Sequence, residues 1–155
     1  LEQVNQECGA WSEFYTNHRL IALTAKARDQ GLFEKKHCNW VEKLCQRLDE
    51  LIPACKPSLI HGDLWSGNLL IHASGHPVLI DPAVYYGHPE MDWAMLSLFG
   101  SYPVEALDHY QNLHPLEKGL NERKDIHQLY PLMVHLILFG KGYLNGVEST
   151  LKKYA

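Results

Sequence analysis

Apolar residues in the first third of the chain recur every three or four positions, as they do in amphipathic helices. Over residues 12–30 this spacing predicts one helix, with Ser12 as its N-cap and Gly31 at its end. A second stripe predicts another helix that ends before Pro53, and its members are Trp40, Leu44, Leu48 and Leu51. We expect both helices to serve as scaffold.

The pattern changes in the middle of the chain, where apolar runs become short and rich in Leu, Ile and Val. The runs "SLIH", "NLLIH" and "PVLID" follow one another, and the turn residues "ASGH" separate the last two. This order predicts a short extended segment followed by a small β-hairpin. The next segment, "DPAVYYGHPE", contains two prolines and a glycine, so we expect it to be irregular.

Helical spacing returns in the last part of the chain. It predicts helices over about residues 90–99, 104–113, 121–141 and 147–154, with a kink at Pro131. The fold class expected from these elements is therefore α+β and mostly helical, with one small hairpin.

Composition narrows the classes of protein that fit. The chain has 155 residues, of which 46% are hydrophobic and 21% charged, as is typical of one globular domain or lobe. A net charge of −4 with scattered basic residues argues against nucleic acid or a membrane surface as partner. The four cysteines lack C-x-x-C spacing, which favours reduced thiols and a cytoplasmic location. They are Cys8, Cys38, Cys45 and Cys55.

Three polar side chains stand at the ends of the short apolar runs. Asp63 lies in "HGDLWSGN", Asn68 ends that motif, and Asp81 follows the expected second hairpin strand. Phosphoryl transfer uses such a set, because Mg²⁺ prefers carboxylate and amide oxygens and a separate carboxylate can accept the proton of the attacking hydroxyl. The hairpin would bring Asp81 beside Asn68.

Three segments, "HGDLWSGN", "DPAVYYGHPEMDWAM" and "LYPLMVHLILFG", resemble the fructosamine kinase (ketosamine kinase) family. That family belongs to the protein-kinase-like fold, in the branch with aminoglycoside phosphotransferases and choline kinases. The similarity extends from about Trp11 to the C-terminus. It implies an ATP- and Mg²⁺-dependent kinase that phosphorylates a sugar hydroxyl of a small-molecule or protein-linked ketosamine, which is a deglycating repair reaction.

The resemblance assigns roles to individual residues. It makes Asp63 the catalytic base and Asn68 and Asp81 the Mg²⁺ ligands. His61 would support the loop, and Asp92 would brace it by accepting hydrogen bonds from its backbone. Where protein kinases have Asp-Phe-Gly this chain has Asp-Pro-Ala, so the aromatic switch of regulated kinases is not expected.

Two further residues are candidates for substrate binding. Trp65 lies between the expected base and the first metal ligand, so a sugar-facing role and a packing role are equally good interpretations. Glu90 could bind the substrate amine, but we prefer a helix N-terminal carboxylate stabilised by the helix dipole. A zinc site is not expected, because the spacing of the central histidines matches no zinc motif. These histidines are His61, His72, His76 and His88.

The nucleotide-binding half of a kinase-like enzyme is not visible in the sequence. Nothing before Leu59 has the order strand, Gly-rich loop, strand and lysine that covers ATP phosphates. We therefore expect residues 1–155 to be a C-terminal lobe, inactive alone, with an exposed apolar face for an N-terminal lobe as partner. Alternatives are an aminoglycoside or choline-type kinase and a non-catalytic kinase-like lobe that acts as an interaction module.

Overall fold

The computed structural model describes residues 1–100 and 104–154, which divide into two compact units. The first unit contains Leu1–Cys55 and Leu129–Ala155, and the second contains Lys56–Gln128. The first unit is mostly helical, and the second combines helices with the described strands, which form two antiparallel pairs. The expected α+β, mostly helical class is therefore confirmed. Within the described ranges, no helix is long and apolar enough to cross a membrane.

The first unit opens with a helical stretch that is less regular than expected. Helix α1 (Trp11–Tyr15) continues into a π-helical segment (Thr16–Ile21) and then into α2 (Ala22–Asp29). The predicted N-cap at Ser12 is wrong, because Ala10 is the extended capping residue and its carbonyl accepts the Phe14 N–H at 3.1 Å. Ser12 consequently lies inside the first turn.

The predicted second helix is two helices, α3 (Lys35–Cys45) and α4 (Leu48–Leu51). A capping box starts α3, in which the His37 ring accepts the Glu34 N–H at 2.8 Å. The break comes at Arg47, whose ψ of 1° leaves the helical region. The apolar stripe continues across this break, which explains why it predicted one helix.

The second unit begins with strand β1 (Ser58–Ile60), which pairs in antiparallel register with β4 (Tyr85–Gly87). The segment "DPAVYYGHPE" was expected to be irregular, and this is wrong for Tyr85–Gly87, which form β4. Tyr85 is buried and lies opposite the buried Ile60, so pairing with β1 satisfies its backbone despite the flanking prolines. The predicted hairpin is present as β2 (Leu69–Ile71) and β3 (Pro77–Leu79).

Helices complete the chain and match the predicted order. They are α5 (Glu90–Leu98), α6 (Val104–Leu113), α7 (Leu120–Phe139) and α8 (Leu144–Tyr154). Pro131 lies within α7 without ending it, and α8 starts three residues before the predicted position.

The β2–β3 hairpin exposes most of its apolar side chains. Leu70 and Val78 are opposite one another in the antiparallel register, and both are exposed. Further apolar residues in and near the strand pairs of this unit are also exposed, namely Leu59, Ile71, Leu79, Val84 and Tyr86. Monomeric proteins seldom expose so many large apolar side chains over so few residues, so the β2–β3 hairpin has the character of a contact region.

Candidate active site

The centre of the candidate site is a tight turn over His61, Gly62 and Asp63, which the Asp92 side chain holds through hydrogen bonds. The two Asp92 carboxylate oxygens accept the His61 N–H at 2.7 Å and the Gly62 N–H at 2.9 Å. Burial raises the pKa of Asp92 above its ordinary value, and these two N–H donors and the nearby His61 offset the rise only in part. The carboxylate thus fixes the backbone just before Asp63.

Gly62 makes the turn possible. Its φ is +80°, in the left-handed region that glycine adopts without steric cost. A Cβ at this position would lie 2.2 Å from the Ala83 carbonyl oxygen, so the chain segment after Asp81 packs directly on the glycine. Both the backbone conformation and the close approach therefore require glycine.

The His61 imidazole connects the two ends of the site. Its Nδ1 accepts the Asp63 N–H at 3.3 Å, and its Nε2 donates to the Ile80 carbonyl at 3.0 Å. The His61 carbonyl also accepts the Ala83 N–H at 2.9 Å. His61 therefore ties the loop of Asp63 to the residues on either side of Asp81.

Asn68 links the same two segments from the other side. Its side-chain Nδ2 donates to the Asp63 carbonyl at 2.9 Å and to the Asp63 Oδ2 at 3.2 Å. Its own carbonyl accepts the Ile80 N–H at 3.0 Å, next to Asp81. Asn68 is buried, so its orientation is well defined. The structure thus brings the segments of all three predicted polar residues together.

Asp81 has an unusual backbone conformation. Among the described residues it is the only non-glycine residue with a positive φ, of +50°. Such a conformation costs about 1–2 kcal/mol for an L-residue, although Asp tolerates it better than most. The hydrogen bonds to Ile80 and Ala83 on both sides hold the chain in this geometry.

Trp65 lies at the edge of the site and is 37% exposed. Its ring covers Gly67, where a Cβ would come within 2.3 Å of the ring atoms. It also meets Phe99 edge-on, with ring centroids 6.5 Å apart. One part of the indole is therefore packed, and the exposed part remains available to a ligand.

Glu90 is buried and held by two side chains from α7. Arg123 donates to both carboxylate oxygens, at 2.5 and 3.1 Å, and His127 Nε2 bonds Oε2 at 3.1 Å. Burial alone would raise the pKa of Glu90, but the hydrogen bonds from His127 and Arg123 lower it to about 2. These contacts favour the structural interpretation over substrate binding, because both oxygens are already engaged.

Sequence reasoning did not identify the partners of Glu90. Arg123 and His127 are four residues apart, so they share one face of α7, and Gln128 follows them. The available signal was the charge of Glu90 in an apolar helix, which requires a basic partner when buried. Sequence alone could not say which basic residue this would be.

One group of potential metal ligands occurs among the described residues, and it comprises His88, Glu90 and His127. His61, His72 and His76 do not belong to it. A divalent cation would have to share the Glu90 carboxylate with the Arg123 guanidinium, which already bonds both oxygens. The adjacent positive charge disfavours a metal ion here.

Comparison with known proteins identifies the family of this chain. The model of the fructosamine kinase family matches residues 1–155. The "Probable ketoamine kinase" of Lactiplantibacillus plantarum is 40% identical over 156 residues, covering 99% of this chain and 56% of that protein. A chloroplastic protein-ribulosamine 3-kinase of Oryza sativa subsp. japonica is 34% identical over 158 residues, covering 98% of this chain and 44% of that protein.

A solved structure has the same fold. It is the crystal structure of a Thermobifida fusca protein provisionally named fructosamine-3-kinase, with a TM-score of 0.92 and 39% identity. The match covers 98% of this chain and 53% of that chain. The chain therefore belongs to the fructosamine kinase family, and it spans about half the length of the relatives it matches.

The close packing at Gly62 leads to a first prediction. A left-handed conformation costs an L-residue about 1–2 kcal/mol. Gly62→Ala should lower the free energy of unfolding by more than this amount, because the new Cβ also overlaps the Ala83 oxygen. Gly75→Ala is a matched control, since its φ is +83° with no atom within 4 Å of the added Cβ. Urea denaturation of both variants measures the difference, and equal losses would contradict the packing argument.

The paired Glu90 carboxylate gives a second prediction. Its pKa of about 2 lies below the ordinary 4.5, so its stabilising contribution is complete above pH 4.5 and is lost as the pH falls towards 2. Glu90→Gln should therefore be less stable at pH 7 and lose less stability over this interval than the unmodified chain. Denaturant unfolding at a series of pH values measures this.

Glu148→Gln is the control for that series. Hydrogen bonds from Lys152 and His37 also lower the pKa of Glu148 to about 2, but Glu148 lies in the first unit. This variant should lose only the share of the acid dependence that Glu148 contributes, so adding Glu90→Gln to it should remove as much again as Glu90→Gln removes alone. An unchanged acid slope in Glu90→Gln would show that Glu90 is not stabilised as a carboxylate.

Proposed function

We propose that this chain contains the catalytic loop and metal-binding segment of a ketosamine kinase, which transfers the γ-phosphoryl group of ATP to a sugar hydroxyl of a ketosamine. The observation that supports this most is the contact between Asp63 and Asn68, with Ile80 bonded to the Asn68 backbone beside Asp81. Phosphoryl transfer requires a proton acceptor and metal ligands at fixed separation, and this network fixes their chain segments.

Asp63 is the group that accepts the proton of the substrate hydroxyl. Its backbone is held by His61 and Asn68, so the direction of the carboxylate is set before substrate arrives. The donation from Asn68 Nδ2 to Oδ2 also orients the carboxylate. Asp63 thus has the position and the partners of a general base.

Asn68 and Asp81 fit a Mg²⁺ ion by their chemistry. Asn68 uses its amide nitrogen on Asp63, so the amide oxygen is the atom that would bind the metal, and Asp81 offers an exposed carboxylate. When bound, Mg²⁺ neutralises phosphate charge. The positive φ of Asp81 is consistent with a side chain directed by function rather than by local preference.

The exposed portion of Trp65 is proposed to contact the sugar. An indole offers a broad apolar face, and the packing against Gly67 and Phe99 limits its rotation. A ring held in this way loses little conformational freedom on binding. Trp65 is therefore a substrate-binding residue in this proposal, whereas Glu90 is assigned to the structure.

A second, nucleotide-binding lobe is proposed as the partner of the exposed hairpin surface. The relatives are about twice as long as this chain, and the hairpin follows Asn68 directly. Apolar residues on both of its strands remain exposed in this chain.

The complete enzyme is proposed to be cytoplasmic, because no disulfide links the four cysteines, all of which are described.

Substitution of the base and the metal ligands tests the proposal. The experiment uses a chimaera in which this chain replaces the matching segment of the Lactiplantibacillus plantarum relative. Asp63→Asn should leave ATP·Mg²⁺ affinity nearly unchanged and lower kcat by about 10²- to 10⁴-fold, because only proton acceptance is lost. Steady-state kinetics with a fructosamine and calorimetry with ATP measure the two effects.

The metal ligands should behave differently in the same chimaera. Asn68→Ala and Asp81→Ala should weaken Mg²⁺-dependent ATP binding as well as turnover, and Asp81→Ala should do so more strongly because it removes a negative charge. Full activity in Asp63→Asn would overturn the assignment of Asp63 as the base, and ATP binding indifferent to Mg²⁺ and to Asp81→Ala would overturn the metal site. A chimaera that binds neither substrate nor ATP·Mg²⁺ and shows no turnover would favour a non-catalytic lobe.

The role of Trp65 is tested separately. Trp65→Ala in the chimaera should raise KM for the fructosamine by about 2- to 12-fold and change KM for ATP little, because an aromatic stacking contact is typically worth about 0.5–1.5 kcal/mol. Phe99→Leu is a milder control that removes only the supporting edge contact. Equal changes in both KM values, or a loss of thermal stability alone, would favour a packing role.

A further inference from the structure

Helix α7 holds helix α5 through polar contacts along its length. At the start of α5, Arg123 and His127 bond the Glu90 carboxylate. Near its end, Gln128 Nε2 donates to the Ala94 carbonyl and to the Ser97 hydroxyl, each at 2.9 Å. Three residues of α7 therefore fix α5 at both ends.

The first turn of α5 has two acidic residues with separate tasks. Glu90 bonds α7, and Asp92, two residues later, bonds the backbone of His61 and Gly62. A helical turn is a rigid connection, so displacement of Glu90 would displace Asp92 with it. The position of the turn before Asp63 consequently depends on the contact between Glu90 and Arg123.

Arginine is suited to this task in a way that lysine is not. The Arg123 guanidinium binds both Glu90 oxygens in a fork and also donates to the Glu117 carbonyl at 2.9 Å and the Lys118 carbonyl at 2.6 Å. The Glu90 and Arg123 side chains are only 1% and 11% exposed. Gly119, with φ +94°, lets the chain close around the guanidinium, since a Cβ there would lie 2.8 Å from Nη1.

We propose that Arg123 is a positioning residue for the catalytic loop: by fixing Glu90 it holds α5 so that Asp92 keeps the His61–Gly62 turn, and hence Asp63, in place. The effect on catalysis rests on the function proposed above. The effect on the loop does not, because it concerns hydrogen bonds within this chain. Arg123 itself contacts no group assigned to the reaction.

Amide hydrogen exchange of the isotope-labelled 155-residue chain tests the proposal. In Arg123→Lys, the His61 and Gly62 amides should exchange at least about 10-fold faster, because the fork that fixes α5 is lost. The Ile80 amide, which bonds Asn68 in the hairpin, and the Leu151 amide of α8 should keep their rates. Arg28→Lys, at an exposed ion pair with Asp29, is the matched control and should change none of them.

A milder variant covers the case in which Arg123→Lys unfolds the chain and accelerates every amide. Glu90→Gln keeps the size of the side chain and one acceptor oxygen, so a selective acceleration of about 3-fold or more at His61 and Gly62 is expected. Unchanged exchange at these two amides in both variants, or an equal change at Ile80 in Glu90→Gln, would overturn the proposal.

Kinetics of the chimaera then separate the two proposals. If the His61 and Gly62 amides of Arg123→Lys exchange faster and the others do not, this variant should lower kcat with little change in KM for ATP. This expectation applies when Asp63→Asn also loses activity. Faster exchange at His61 and Gly62 alone, together with a fully active Asp63→Asn, would support the positioning role of Arg123 and reject Asp63 as the base. Unchanged exchange at His61 and Gly62 with an inactive Asp63→Asn would reject the positioning role of Arg123 and support Asp63 as the base.

Discussion

The candidate site depends on one carboxylate, that of Asp92, which accepts two consecutive backbone N–H groups from His61 and Gly62. Burial raises the pKa of this carboxyl above its ordinary value, and the two N–H donors offset part of the cost of burying it. The same bonds force the backbone into a turn that only Gly62 can complete, because its φ is positive and Ala83 lies against it.

From this turn, a short series of hydrogen bonds defines the rest of the site. The His61 ring reaches both the Asp63 N–H and the Ile80 carbonyl, and Asn68 bonds Asp63 and Ile80 in the same way from the other side. Three chain segments are thus cross-linked through hydrogen bonds. Because each bond satisfies a backbone group or a buried amide, loss of one partner leaves another unsatisfied.

The sequence was informative where local patterns determine structure. The β2–β3 hairpin was predictable because two short apolar runs flank a turn, and this pattern alone predicts that Asp81 lies near Asn68. The order of the polar residues then indicated phosphoryl transfer, and the family match agrees with that class. Helix α5 was predicted to within one residue, because helical spacing of apolar residues is also a local pattern.

What the sequence could not show depends on contacts between distant residues. The strand Tyr85–Gly87 exists because β1 pairs with it, whereas its glycine and the flanking prolines predict a loop. The bond between Arg123 and Glu90 joins positions 33 residues apart, and no local spacing identifies such a pair. The break at Arg47 was hidden because the apolar stripe continues through it.

We propose that Asn68 and Asp81 form a metal site beside Asp63, and paramagnetic broadening tests this proposal most directly. In the isotope-labelled chimaera with excess ATP, traces of Mn²⁺ in place of Mg²⁺ should first broaden the Asn68 side-chain amide and the Asp81 backbone amide. Asp81→Ala should abolish that effect. Broadening centred on His88 and His127 instead, or broadening at Asn68 that survives Asp81→Ala, would contradict the account.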